Sequence, residues 1–200
     1  MKNNLKILAA LLIVSLGLFS SCGEGFDNDI DEKWKNFNEE IFDGMAGKSG
    51  YKKLTSLSGD GFLYYKPSNV LIDEEEKSKS GEEETTLKLY PDGTPHATDS
   101  VVCRYKGWFY NYDMEKVVFD STEGTNNMQL GVGKQVNRYL TGLADMLQYM
   151  KVGDEYEVCL PYELGFFGYR ESYNGYGVTP YTTVWYNIKL LKIIPGEEVK

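Results

Sequence analysis

The sequence predicts an α+β protein: a mostly β domain of about 100 residues with one short helix, preceded by a helical extension. Three observations predict it. After residue 98, apolar positions alternate at 101–109 and 155–160, the period of a strand with one buried face, 117–120 is short and apolar, and 182–194 reads as a long final strand. Within that stretch one segment, 141–150, has helical spacing, with Leu143, Leu147 and Met150 on one face and Leu140 leading in. Upstream, 31–47 spaces Trp34, Phe37, Ile41, Phe42 and Met45 three to four residues apart, with acids early and Gly47 near the end, as a packing helix does.

The chain divides in order. Residues 1–21 begin with Lys2 and Lys6, continue through an apolar run over 7–19, and end in Ser20-Ser21. Spanning a bilayer takes about 20 apolar residues, so the shorter run reads as a secretory signal. Cys22 directly after small residues resembles the lipobox of bacterial lipoproteins, with Phe19 where Leu is commoner. That resemblance implies lipidation of Cys22, an anchor in a membrane of the cell envelope (the outer membrane), and a periplasmic or surface face. A plain secretory signal with an incidental Cys22 is the alternative. Residues 22–30 form an acidic tether, similar to the stretch after the cysteine in surface lipoproteins of Bacteroidetes-like bacteria. The helix occupies 31–50, and 51–93 supplies lead-in strands around the turn Ser58-Gly59-Asp60-Gly61. Inside that region 73–86 is too polar to offset the entropy of ordering and is expected to be a floppy insertion. At 153, Gly is suited to a left-handed cap after the second helix.

Charge and composition exclude several functions. Thirty acids face 21 bases, with no basic stripe, so nucleic acid is not an expected partner. One histidine, His96, leaves neither a Cys/His metal site nor a His-assisted nucleophile to build, and no metal or cofactor is expected. The 16 tyrosines suit either a wet cleft for peptide or sugar, or simply strands. Alternation puts Cys103 on the inward face with Val101 and Tyr105. It puts Cys159 on the outward face with Glu155 and Glu157, so no bridge between them is expected.

From residue 94 the motifs become specific. Tyr105-Lys106-Gly107, Phe119-Asp120-Ser121, Leu130-Gly131-Val132-Gly133, the run from Gly142-Leu143 to Val152-Gly153, Leu160-Pro161 through Gly168, and Val178 through Leu191 follow one another in order. Together they resemble the FKBP family of peptidyl-prolyl isomerases over 94–195. The resemblance implies a strongly twisted antiparallel β-sheet wrapped around one short α-helix, with a pocket between sheet and helix. It implies Tyr105, Phe119 and Tyr186 as aromatic walls and Asp120 as the polar group near the substrate carbonyl. Leu140 is implied as a backbone N–H donor to the peptide, and Val178 and Tyr181 as contributions of the last loop. The partners implied are proline-containing peptides or exported client proteins. The segments before 94 match less sharply; 52–66 and 31–47 resemble the lead-in strand and helical extension of lipoprotein and Mip-like members.

This chain departs from the family pattern where the pocket is made. Leu143 stands on the floor where the family places Trp, and Phe166-Phe167 stands where it places a Tyr hydroxyl. Residues 134–139 are longer, and Asn126 and Met128 replace common aromatics. The expected function is therefore a lipid-anchored prolyl isomerase with reduced activity. A catalytically weak binding or chaperone module of the same fold is the alternative. A surface glycan-binding lipoprotein using its tyrosines is a third reading.

Overall fold

The computed structural model describes residues 31–71, 92–123, 127–133, 140–166 and 177–196. The leader, Cys22, the tether, the insertion 73–86, Asn126, the segment 134–139 and Phe167 lie outside the described residues. The elements are α1 (Glu32–Asp43) continued by a 3-10 turn (Gly44–Gly47), β1 (Lys52–Thr55), β2 (Phe62–Pro67), β3 (Ser100–Tyr110), β4 (Lys116–Ser121), β5 (Met128–Gly131), α2 (Thr141–Tyr149), β6 (Glu155–Leu160) and β7 (Val184–Ile194). The strands form one sheet in the order β1-β2-β6-β7-β3-β4. Every pairing is antiparallel. On the side of β3 away from β7, β5 takes the first half (Ser100 to Cys103) and β4 the second (Lys106 to Tyr110).

Alternation sends two sets of side chains to opposite faces. One face meets α2. Val101, Cys103 and Tyr105 of β3, Val158 and Leu160 of β6, and Val184, Tyr186, Ile188 and Leu190 of β7 pack there with Leu143, Ala144, Met146 and Leu147. The other face carries Tyr64, Trp108, Cys159 and Trp185, with Phe42 and Met45 from α1 and its 3-10 turn. Asp31 starts α1 by accepting the Trp34 amide N–H on its carboxylate at 3.0 Å, a standard helix N-cap.

The second core corrects one sequence expectation. Cys159 faces away from Cys103, and both thiols are free, yet neither meets solvent. Burial pushes the Cys103 thiol up to about 12 and the Cys159 thiol well above its ordinary value. Glu155 and Glu157 made this face of β6 look wet. In the fold Glu155 takes the Leu71 N–H at 2.9 Å, while Glu157 takes the Tyr51 hydroxyl and Lys66 at 3.1 Å. Gly153 needs a second correction. It adopts φ 94, but α2 already ends at Met150 in extended backbone. Gly153 instead serves the turn into β6, where the Asp154 N–H bonds the Lys151 carbonyl at 2.9 Å.

Helix α2 is tied to the first hairpin through a buried carboxylate. Asp145 accepts the Ser56 hydroxyl at 2.6 Å. Burial raises its pKa, and hydrogen bonds from Ser56 and the Leu57 backbone pull the other way. A carboxyl raised in the fold contributes stability below its unfolded pKa and loses it as pH rises through the folded value. Asp145→Asn keeps an acceptor for Ser56 and removes the charge. It should therefore match or exceed wild-type stability at pH 7, with the advantage vanishing below about pH 4. Urea midpoints at the two pH values check this; a loss of stability at pH 7 would show that the two hydrogen bonds outweigh burial.

Candidate active site

The aromatic residues singled out in sequence converge above α2. The Tyr105 and Tyr186 rings lie 6.1 Å apart. Phe119 meets Tyr186 edge-on at 5.7 Å and Phe166 edge-on at the same separation. Leu143 and Val178 belong to the same buried cluster, and Leu140 and Phe166 pack against it from partly buried positions. These distances fit the walls of one small-ligand site.

Local backbone explains the convergence. The β3–β4 register passes from Gly107↔Asp120 to Trp108↔Val118, which leaves Phe119 as the extra residue of a bulge; a bulge re-aims its side chain. Gly107 gives that ring its room. A Cβ there would lie 2.8 Å from both Phe119 Cζ and Tyr186 Cε1, closer than carbon atoms approach without displacement. Gly107→Ala should thus push two walls apart, destabilise by about 1–3 kcal/mol, and lower any prolyl turnover further than the stability loss alone. Thermal melting and turnover measured on the same preparation check it; unchanged melting would mean that the rings yield freely.

At the rim, the Tyr105 hydroxyl donates to Asp120 Oδ2 at 2.8 Å, and the Met128 sulfur lies 3.1 Å from the Tyr105 hydroxyl oxygen. The Tyr105 backbone is itself bracketed by Thr122, whose Oγ1 accepts its N–H at 3.0 Å and donates to its carbonyl at 3.1 Å. Asp120 is half-buried, so its carboxylate is held in place while still reaching solvent. Leu140 caps α2 with φ −142 and ψ 68, and its carbonyl takes the Leu143 and Ala144 amides. One named residue falls elsewhere. Tyr181 stacks edge-on against Tyr162 at 5.0 Å, with the Lys35 ammonium 5.6 Å from its ring, and it is not part of the pocket cluster.

Sequence reasoning missed the residues behind the walls. Phe109 lies 6.4 Å from Phe119 in a near-parallel stack. Asn38 is buried on α1 between Trp34 and Phe42. A signal for Asn38 existed: it interrupts an apolar stripe at four-residue spacing, where a polar side chain needs a partner.

A sheet with one helix packed across one face, and an aromatic cluster with a tethered carboxylate between them, define an FKBP-like domain. The FKBP-type peptidyl-prolyl cis-trans isomerase family profile matches residues 92–191, and the chain belongs to that family. Among solved structures, it is similar to a peptidyl-prolyl cis-trans isomerase from Pseudomonas syringae pv. tomato, with a TM-score of 0.55 and 16% identity over 82% of this chain and 96% of that one. It is also similar to FkpA from Escherichia coli, with a TM-score of 0.56 and 20% identity over 94% of this chain and 72% of that one. Identities this low speak for the fold alone. No curated protein sequence matches the chain.

Proposed function

We propose that this chain is a lipid-anchored peptidyl-prolyl cis-trans isomerase acting on exported proteins, slower than members with Trp and Tyr in the pocket. The observation that carries the reading is the cluster of the aromatic residues Tyr105, Phe119 and Tyr186 with Leu143, with Asp120 fixed at its rim by Tyr105. Prolyl isomerisation twists an amide over a barrier of about 18–20 kcal/mol. It needs no nucleophile. The walls hold the proline ring out of water, and the Leu140 N–H together with the Asp120 rim accommodates a carbonyl that loses conjugation as the bond turns. Enclosure favours the twisted amide, which depends less on water than the planar one.

Reduced rate follows from two side chains. Leu143 is aliphatic, so the floor offers no ring to the proline. Phe166 has no hydroxyl, and one lost hydrogen bond weakens binding by about 1 kcal/mol. These same residues favour the second reading, a module that binds prolyl segments with little turnover. The lipid anchor rests on the leader and Cys22, which also support residence in the bacterial cell envelope and clients among exported proteins.

A protease-coupled assay of the full chain on an Ala-Pro-Phe peptide tests the enzyme. Measurable turnover below that of a full-motif member is expected. Absence of turnover, unrestored by Leu143→Trp, favours the binding module. Fatty-acid labelling lost in Cys22→Ser tests the anchor, and label retained in that variant would remove it.

A further inference from the structure

We propose that Trp34 and Asn38 of α1 are positioning residues for the proline pocket, holding two of its walls from behind. The inference rests on reading the cluster as the isomerase site. Neither residue is part of that cluster, so neither is placed to touch substrate. On one side, Phe109 meets the Trp34 ring edge-on at 6.2 Å and stacks on the wall residue Phe119 at 6.4 Å. On the other side, Trp34 Nε1 donates to Thr182 Oγ1 at 2.9 Å, and that hydroxyl donates to the Thr179 carbonyl at 2.5 Å. Val178, the wall contributed by this loop, is the next residue back.

Asn38 grips the same loop. Its Oδ1 accepts the Thr183 N–H at 2.8 Å, and its carbonyl accepts the Thr183 hydroxyl at 3.0 Å. Its Nδ2 donates to the Trp34 carbonyl at 2.9 Å. Asn38, Thr182 and Thr183 are each no more than 1% exposed. Removing one partner therefore strands a polar group away from water. Between these contacts the loop is strained: Tyr181 has φ 64, a region that a bulky side chain adopts only when its surroundings impose it. Helix α1 supplies that constraint, together with the Tyr162–Tyr181 stack and the Tyr162 hydroxyl bonded to Glu39 at 3.1 Å. A displacement of α1 would loosen the Val178 wall and the backing of Phe119 together.

The test compares wild type with Trp34→Phe, Thr182→Val, their double variant and Asn38→Ala, in the full chain. It reads KM and kcat on a prolyl tetrapeptide, and amide exchange across 178–183. Trp34→Phe is expected to raise KM about fivefold, the worth of one buried hydrogen bond, and Thr182→Val and Asn38→Ala, which each remove two, by more, with kcat within about twofold throughout. Exchange should quicken at 178–183 and stay slow in the β3–β7 ladder. The double variant should be no worse than the poorer single one, because both remove one shared bond. Unchanged KM in active, folded variants overturns the proposal, as does exchange quickened evenly across the sheet. Thr182→Val preserves volume and carries the test if Trp34→Phe does not fold. If wild type turns over no peptide and Leu143→Trp restores none, the isomerase reading fails by itself. The Kd for the same peptide then replaces KM, and an unchanged Kd overturns the positioning role.

Discussion

Phe119→Ala is expected to bring prolyl turnover down to the uncatalysed background. The ring touches Tyr186 and Phe166 edge-on, leans on Phe109, and sits beside the Asp120 rim. Removing it opens the wall nearest that carboxylate and lets water reach the bound amide, which removes the environment that favours the twisted state. A buried Phe replaced by Ala also costs about 3–5 kcal/mol of stability, so turnover must be read on protein shown to be folded by near-ultraviolet circular dichroism. Phe119→Leu separates the two effects. It keeps most of the apolar volume and loses the aromatic edge, so it should fold well and still lose about tenfold in kcat/KM, near the upper worth of an aromatic contact. Wild-type turnover in a folded Phe119→Ala protein would remove the cluster from the catalytic account.

Leu143→Trp is expected to act in the opposite direction on catalysis. Leu143 lies on the sheet-facing side of α2 and is 3% exposed. An indole there restores an aromatic floor, and an aromatic contact worth about 0.5–1.5 kcal/mol corresponds to about two- to twelvefold in kcat/KM. The larger side chain also overpacks a filled cluster, at a cost of about 1–3 kcal/mol of stability. The expected signature is therefore faster turnover with a lower melting temperature. Equal turnover in wild type and a full-motif member on the same peptide would show that the floor residue does not limit this domain.

The strands that position the site were legible because each buries one strongly apolar face. β6 falls at 155–160 as its alternation requires, and β3 extends the predicted 101–109 by one residue at each end. The start of β7 was less legible. Thr182 and Thr183 have strand-like character, but their hydroxyls and backbone are committed to α1, and the ladder begins at Val184. β5 was read as a glycine motif, since Met128-Gln129-Leu130-Gly131 is too short to show a period; its pairing with β3 makes it a strand. The pocket walls were legible only through motif order, because one buried Tyr or Phe looks like any other in composition. What lay out of reach was non-local. Nothing in β6 states that a helix more than a hundred residues earlier will cover Cys159, and nothing in β4 states that Phe119 will be bulged against Gly107. Such facts depend on which elements meet, not on the character of either alone.

The strand order has a consequence for when this protein can fold. β7 is the last strand, yet it lies at the centre of the sheet, between β6 and β3. Until its residues are available, β1-β2-β6 and β3-β4-β5 have no common partner, and each half exposes an unpaired edge and an apolar face. The pairing of Ser100 with Ile194 closes a long loop, and contacts so distant in sequence slow folding. No prefix of the chain can complete the sheet early, because the central strand comes last. The same delay leaves the Val117–Val118 edge of β4, already exposed in the folded protein, open to other chains for as long as β7 is missing. Dependence on a chaperone should therefore fall on the newly synthesised chain and not on the finished fold.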